Sequence, residues 1–176
     1  DARLTAHYSH IEDLIELSFV PGTPAYRNVG DAEIYGIEFE AAYVGEAWYG
    51  NLALSALEGR NLTDDEVWSQ LPQDSLHLTL GRRDDVTGVG FGWTMNAFAD
   101  IDYEGARGGD AADNRFGGYA THDLFASYAP QEGPLEGFEF RFGVDNVFDR
   151  TYRNALDQEN GRGRTARLTL ARVWDF

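Results

Sequence analysis

The chain contains no cysteine. Disulfides and thiolate metal sites are therefore excluded. The absence is compatible with an oxidising compartment but does not identify one. Positive charge is scarce: 14 basic residues, none of them lysine, stand against 30 acidic ones, for a net charge of −16. Nucleic acid as a partner needs a basic footprint, so that class is disfavoured. Simple electrostatic docking on anionic lipid is disfavoured for the same reason. No stretch approaches the ~20 apolar residues of a spanning helix. No basic segment followed by an apolar one opens the chain at Asp1-Ala2-Arg3-Leu4, so no signal peptide is expected, and the strand-like start suggests a piece of something longer. Helix-period apolar stripes of useful length are also lacking.

What is plentiful is glycine (20), phenylalanine (11), tyrosine (9) and tryptophan (4) in 176 residues. That mixture, with few long apolar runs, points to β structure in a single domain. The dominant pattern is alternation with a period of two. Tyr35, Ile37, Phe39, Ala41 and Tyr43 share one face, while Ile34, Gly36, Glu38, Glu40 and Ala42 share the other. Leu76, Leu78 and Leu80 alternate with His77, Thr79 and Gly81. Val89, Phe91, Trp93 and Met95 alternate with Gly90, Gly92, Thr94 and Asn96. Phe138, Phe140, Phe142 and Val144 oppose Glu139, Arg141, Gly143 and Asp145.

The alternation predicts about eight antiparallel strands, near 3–17, 25–44, 47–60, 75–83, 87–103, 117–129, 136–149 and 163–176. Tight connections are expected at Gly45-Glu46, Arg83-Asp84-Asp85 and Pro130–Pro134, with longer polar ones near 18–25, 61–74, 104–116 and 150–162. Short turns at one rim and long loops at the other suit an up-and-down transmembrane barrel. The polar faces carry Gly, Asn, Asp, Thr and Ser, as a hydrated lumen would. Tyr8, Tyr43, Trp48, Tyr128, Trp174 and Phe176 lie toward strand ends, where rings suit a membrane–water interface.

Three segments carry a family likeness. Tyr26-Arg27-Asn28-Val29-Gly30 precedes Tyr35-Gly36-Ile37-Glu38; Asn146-Val147-Phe148-Asp149 precedes Tyr152; and Gly161-Arg162-Gly163-Arg164 leads into a last strand ending at Phe176. In order and spacing they resemble the TonB-dependent outer-membrane receptors. The motif residues Asn28, Gly30, Gly36, Glu38, Asn146, Phe148, Asp149 and Tyr152 read as structural, with Asn146 and Asp149 suited to ending a strand through local backbone bonds. The resemblance implies that residues 1–176 form the C-terminal segment of a receptor barrel of about 22 strands, without its plug domain. Leu168, Leu170, Trp174 and Phe176 resemble the family's barrel-assembly signal, although Arg172 departs from it.

The likeness further implies TonB-dependent uptake across the bacterial outer membrane. The ligand would be haem, a haem-carrying protein or a ferric siderophore, with outer-membrane lipid, the energy-coupling complex and the assembly machinery as partners. Asp13-Leu14-Ile15, the strand Gly118–Tyr128 and Gly161–Arg164 look closest to the haem/haemoglobin branch. No cofactor is expected within this segment, and the family's axial haem histidines are expected outside it. His7, His10, His77 and His122 are read as structural or lumen-lining. The acidic clusters Asp64-Asp65-Glu66 and Asp110, Asp113 and Asn114 lack EF-hand spacing and read as solvated loop charge. No nucleophile–base pair or metal quartet argues for an enzyme. The alternative is a free-standing eight-stranded barrel, either a small membrane barrel or a soluble lipid or small-ligand binder.

Overall fold

The computed structural model describes residues 1–20, 23–63, 66–67, 71–103, 115–157 and 159–172. Eleven strands follow in order: β1 (Ala2–Val20), β2 (Thr23–Val44), β3 (Trp48–Asn61), β4 (Glu66–Val67), β5 (Ser75–Asp84), β6 (Val89–Phe98), β7 (Ile101–Asp102), β8 (Arg115–Phe116), β9 (Tyr119–Tyr128), β10 (Phe138–Asp145) and β11 (Thr165–Arg172). Eight long strands form one antiparallel sheet in the order β1-β2-β3-β5-β6-β9-β10-β11, with β4 added to the end of β3. The short β7 and β8 pair with each other. Each long strand pairs with its neighbour in the chain, as an up-and-down wall requires, and the wall is open between β1 and β11. Strands β5, β6 and β9 are 10 residues each, close to the ~9–11 that carry a tilted strand across a bilayer.

Register decides which side chains share a face, because a slip of one residue would exchange the two faces. Leu4 stands opposite Phe39, Phe39 opposite Leu54, and Leu54 opposite Leu76. Leu80 faces Trp93, Trp93 faces Leu124, and Leu124 faces Val144. Leu168 faces Phe142, and Phe142 faces Ala126. The apolar halves of all these strands therefore merge into one continuous surface. It is left open: Leu4 is 67 % exposed, Leu168 77 % and Phe142 50 %. No second sheet covers it among the described residues. A soluble sandwich would bury this face against a partner layer.

The short turns lie at one rim, at Gly45–Ala47, Asp85–Gly88 and Ala129–Gly137. Rings gather above them on the apolar face, with Tyr43 65 % and Trp48 57 % exposed, and with Tyr128 stacked on Phe140 at 6.3 Å. At the opposite end of the same face, the Tyr35 hydroxyl donates to Glu58 Oε2 at 2.5 Å. Such rings, apolar in body and polar at the tip, fit the two boundaries of a bilayer.

Two expectations are corrected. In the long connection expected near 18–25 the described residues are strand: Ser18 pairs with Ala25, Phe19 with Pro24 and Val20 with Thr23. The two strands satisfy each other's backbone groups beyond the sheet, and Pro24, near the start of β2, sits where a missing donor is tolerated. The strand expected over 87–103 ends at Phe98 and resumes as β7. There the chain doubles back so closely that a Cβ on Gly118 would lie 3.0 Å from the Phe98 carbonyl oxygen. A bulge interrupts β1 between Ile11 and Leu14, with Asp13 in the left-handed region at φ 55°.

Candidate functional site

The polar face is the candidate working surface, and it has three levels. Nearest the short turns, glycines and rings occupy one cross-strand row: Tyr49 opposite Gly81, Gly81 opposite Gly92, Gly92 opposite Phe125, and Phe125 opposite Gly143. The rings lie down over the glycines. A Cβ on Gly81 would come 2.2 Å from Tyr49 Cζ, and one on Gly92 2.3 Å from Phe125 Cζ. The row is therefore a flat wall. Beside it Asp145 accepts from Arg167 at 2.6 Å, and Glu139 accepts from Arg141 at 2.6 and 2.9 Å. These pairs are exposed and their contribution to stability is small.

The middle level is a hydrogen-bonded network. Thr79 and Thr94 hydroxyls meet at 3.0 Å. Asn96 Nδ2 donates to Asp123 Oδ2 at 3.2 Å and to Thr121 Oγ1 at 3.5 Å. His77 Nδ1 lies 2.9 Å from Asn96 Oδ1. Asp123 also accepts the Asn146 backbone N–H at 2.7 Å. One carboxylate thus joins the wall to the turn that ends β10.

The upper level is aromatic and closes under the long loops. Phe98 stacks on Tyr119 at 4.8 Å, and Tyr119 stacks on Tyr152 at 4.6 Å. Tyr152 lies flat on the Gly161 backbone, where a Cβ would come 2.1 Å from its ring. Tyr103, Phe116 and Ala155 form a small buried cluster, with Tyr103 fully buried. Gln73, 2 % exposed, ties it together: its Nε2 donates to the Ala99 carbonyl at 2.5 Å, and its Oε1 accepts the Ala155 N–H at 2.9 Å. The Tyr103 hydroxyl donates to the Leu71 carbonyl, and the Arg153 guanidinium sits 4.7 Å above the Phe116 ring. Segments from three loops are therefore one packed body.

The sequence motifs are placed as follows. Asn146 is 4 % exposed, with φ 50°. Its Nδ2 donates to the Arg150 and Arg162 carbonyls at 2.8 and 3.1 Å, and its Oδ1 accepts the Arg150 N–H at 2.9 Å. Asp149, also left-handed at φ 54°, accepts the Arg164 N–H at 2.8 Å. Tyr152 turns inward to the aromatic stack, whereas Phe148 is 73 % exposed and meets His122 edge-on at 5.2 Å. Gly30 has φ +88°, and a Cβ there would collide with Thr63 Oγ1 at 2.0 Å. Gly36 lies beneath the His7 ring, and Glu38 is exposed on the polar face opposite Thr5 and Ser55. Asn28 pairs with Ile15 in β2. Leu168 and Leu170 stand 77 % and 60 % exposed on the apolar face. Trp174 and Phe176 lie outside the described residues, as do Asp64, Asp65, Asp110, Asp113 and Asn114.

The structure thus brings Asn146, Asp149 and Tyr152 together and leaves Gly30, Gly36 and Glu38 apart from them. Sequence reasoning missed Asp123, Asn96 and Gln73. Each is a single polar residue whose partners lie far away along the chain, on other strands for Asn96 and in other loops for Gln73, so only the folded arrangement reveals it. No group of three or more His, Cys, Asp or Glu side chains able to hold a metal ion occurs among the described residues.

Comparison with known proteins accords with this geometry. The model of the family described as "TonB dependent receptor-like, beta-barrel" matches residues 1–147. "TonB-dependent heme receptor A" of Haemophilus ducreyi is 28 % identical over 160 residues, covering 84 % of this chain and 21 % of that protein. "Heme/hemopexin utilization protein C" of Haemophilus influenzae is 24 % identical over 164 residues, covering 90 % and 21 %. Among solved structures, "Copper transporter OprC" superposes with a TM-score of 0.78 at 22 % identity, covering 94 % of this chain and 28 % of that one. The chain spans about a fifth of the length of the curated relatives it matches. An open sheet with one lipid-suited face and one hydrated face is what a section of such a wall should look like, and the chain belongs to the TonB-dependent receptor β-barrel family.

Proposed function

We propose that this chain is a section of the wall and outer loops of a bacterial outer-membrane importer that takes up haem or another iron complex. The observation that carries the reading is the division of one sheet into an exposed apolar face and a networked polar face. That division has a physical use only when lipid lies on one side and water on the other. The two relatives named for heme direct the substrate proposal toward haem.

In this reading the apolar face contacts outer-membrane lipid. The short turns face the periplasm, and the packed loop body faces outward to meet haem or a haem-carrying protein. Loops held by a rigid scaffold are where binding residues concentrate. Energy comes through a plug domain engaged by the TonB complex, outside this chain. The outward Leu168 and Leu170 are followed in the sequence by Trp174 and Phe176, and this C-terminal pattern is the signal read by the assembly machinery.

The test is growth. A strain lacking the receptor should fail on haem as sole iron source and recover when the gene is restored. Undiminished growth on haem with loss of growth on a ferric siderophore would move the substrate to that class. Loss of neither would overturn the import reading.

A further inference from the structure

We propose that Arg82, with Asp84 beyond it, holds the headgroup of an aminophospholipid, a phosphate joined to a primary ammonium, on the outward surface of the wall at the rim of short turns. The inference rests on the reading of this chain as a membrane wall and names the lipid chemistry that one rim selects.

The apolar face is interrupted at one place along β5. Its outward residues run Leu76, Leu78 and Leu80, then Arg82 and Asp84. Register sets Arg82 between Trp48 on β3 and Phe91 on β6, both exposed on the same face. The strands on both sides of β5 are in place here, and this surface lies on the side of the sheet away from the lumen. Neither a further strand nor a domain inside the barrel therefore covers Arg82.

Arg82 is a cation without a protein anion of its own. Its guanidinium makes no hydrogen bond or ion pair with another described residue. Arg83, one residue along on the polar face, has Asp85 at 3.7 Å. Arg82 is half-buried among its neighbours. A charge partly withdrawn from water is costly unless a partner is supplied. The arginine stem can cover apolar surface while its fork, which matches a phosphate, reaches the boundary.

Asp84 sets a carboxylate about 7 Å further along the strand, toward the water, at ~3.4 Å per residue. Its Oδ1 accepts the Val86 and Thr87 N–H groups at 3.0 and 3.1 Å, which holds the carboxylate in place. A carboxylate has about four acceptor sites, so it can still take an ammonium N–H. The order along β5 is apolar, then cation, then anion. An aminophospholipid presents acyl chains, phosphate and ammonium in that same order. A headgroup with phosphate alone would meet Arg82 but be repelled by Asp84, and the net charge of −16 adds to the repulsion. A choline headgroup carries the positive charge but has no N–H to give. Trp48 and Phe91 bound the position on either side, at the level where rings settle in a bilayer.

The test is native mass spectrometry of the full-length receptor released from detergent, with phosphatidylethanolamine, phosphatidylcholine or phosphatidylglycerol added in turn. Wild type should retain phosphatidylethanolamine best. Arg82→Gln should weaken the tightest phosphatidylethanolamine equivalent by about tenfold, the scale of one charge-assisted pair. Arg83→Gln, on the other face, should leave it unchanged. Asp84→Asn should erase the preference for phosphatidylethanolamine over phosphatidylcholine. Heat-modifiable gel mobility reports folding. If the glutamine variant fails to fold, Arg82→Lys, which keeps the charge without the fork, should still weaken the equivalent several-fold. Wild-type affinity in a folded Arg82 variant would overturn the assignment, as would a wild-type receptor that retains phosphatidylglycerol best. A nitroxide at position 80 relaxed by a water-soluble nickel chelate rather than by oxygen would instead defeat the membrane-wall reading itself.

Discussion

The two faces of this sheet are made by the same strands, often by adjacent residues, yet they obey opposite rules. On the outward face Leu76, Leu78 and Leu80 carry no hydrogen-bonding group, and the neighbouring strands present Leu54, Leu52, Met95 and Trp93 at matching heights. On the inward face His77 and Thr79 are each tied to a partner on β6. In the proposed reading outward residues are held by lipid and tolerate many apolar shapes. Inward residues are held by specific atoms. The difference teaches that a pore wall is two surfaces solved independently and joined only by backbone register.

The largest test of that contrast is a charge placed on each side of one strand. Leu78→Arg should destabilise the folded receptor by about 2–4 kcal/mol, the cost of a cation near the bilayer midplane. Thr79→Arg, one residue along, should shift the denaturant midpoint little. Equal losses at the two positions would break the comparison.

The next test concerns the turn that holds the inward network. Asn146→Ala removes three hydrogen bonds from a buried side chain and leaves the Arg150 and Arg162 backbone groups unpaired. A loss of roughly 1–3 kcal/mol is expected, with faster proteolysis between residues 147 and 164. Outward Phe148→Ala should leave proteolysis of that loop unchanged.

A third variant sharpens the account of the flat wall. Gly81→Ala places a methyl where the Tyr49 ring lies, so the ring must swing into the lumen. About 1–3 kcal/mol of overpacking is expected, and the double variant with Tyr49→Ala should recover most of it. Absence of recovery would show that the ring does not rest on the glycine.

The smallest effect lies outside the bilayer. At the β5–β6 turn the Asp84 carboxylate accepts the N–H groups of Thr87 and Val86 at 3.1 and 3.0 Å, which hold its pKa below the ordinary carboxylate value. A depressed folded pKa stabilises the fold above the unfolded value of ~3.9 and is lost as pH falls through the folded one. Asp84→Asn should thus be slightly less stable than wild type at neutral pH. The two unfolding midpoints should converge on acidification below about pH 4.

Much of this wall was legible because alternation is a local signal. The apolar stripe Tyr35–Tyr43 and the polar partners of Leu76–Leu80 are readable within one strand, and short turns rich in Gly, Asp and Pro mark where strands reverse. The joining of Asp123 to Asn96 and to the Asn146 N–H was not legible, since it depends on strands β6, β9 and the end of β10 meeting at a particular register. The Tyr49–Gly81 and Gly92–Phe125 pairs were hidden for the same reason. The length of the β1–β2 hairpin was misjudged because Pro21-Gly22-Thr23-Pro24 reads as a loop, whereas pairing across the strands carries the hairpin through Thr23. The loop cluster of Tyr103, Phe116 and Ala155, tied together by Gln73, draws on three connections, each of which alone looks polar.

The central claim is that outward residues meet lipid and inward ones meet water. Its most direct test is nitroxide scanning along Ser75–Gly81 in the full-length receptor, reconstituted in a bilayer, one labelled cysteine at a time. Positions 76, 78 and 80 should be relaxed by oxygen dissolved in lipid, and positions 75, 77, 79 and 81 by a water-soluble nickel chelate. A signal that ignores this two-residue period, or that reverses it, would contradict the account.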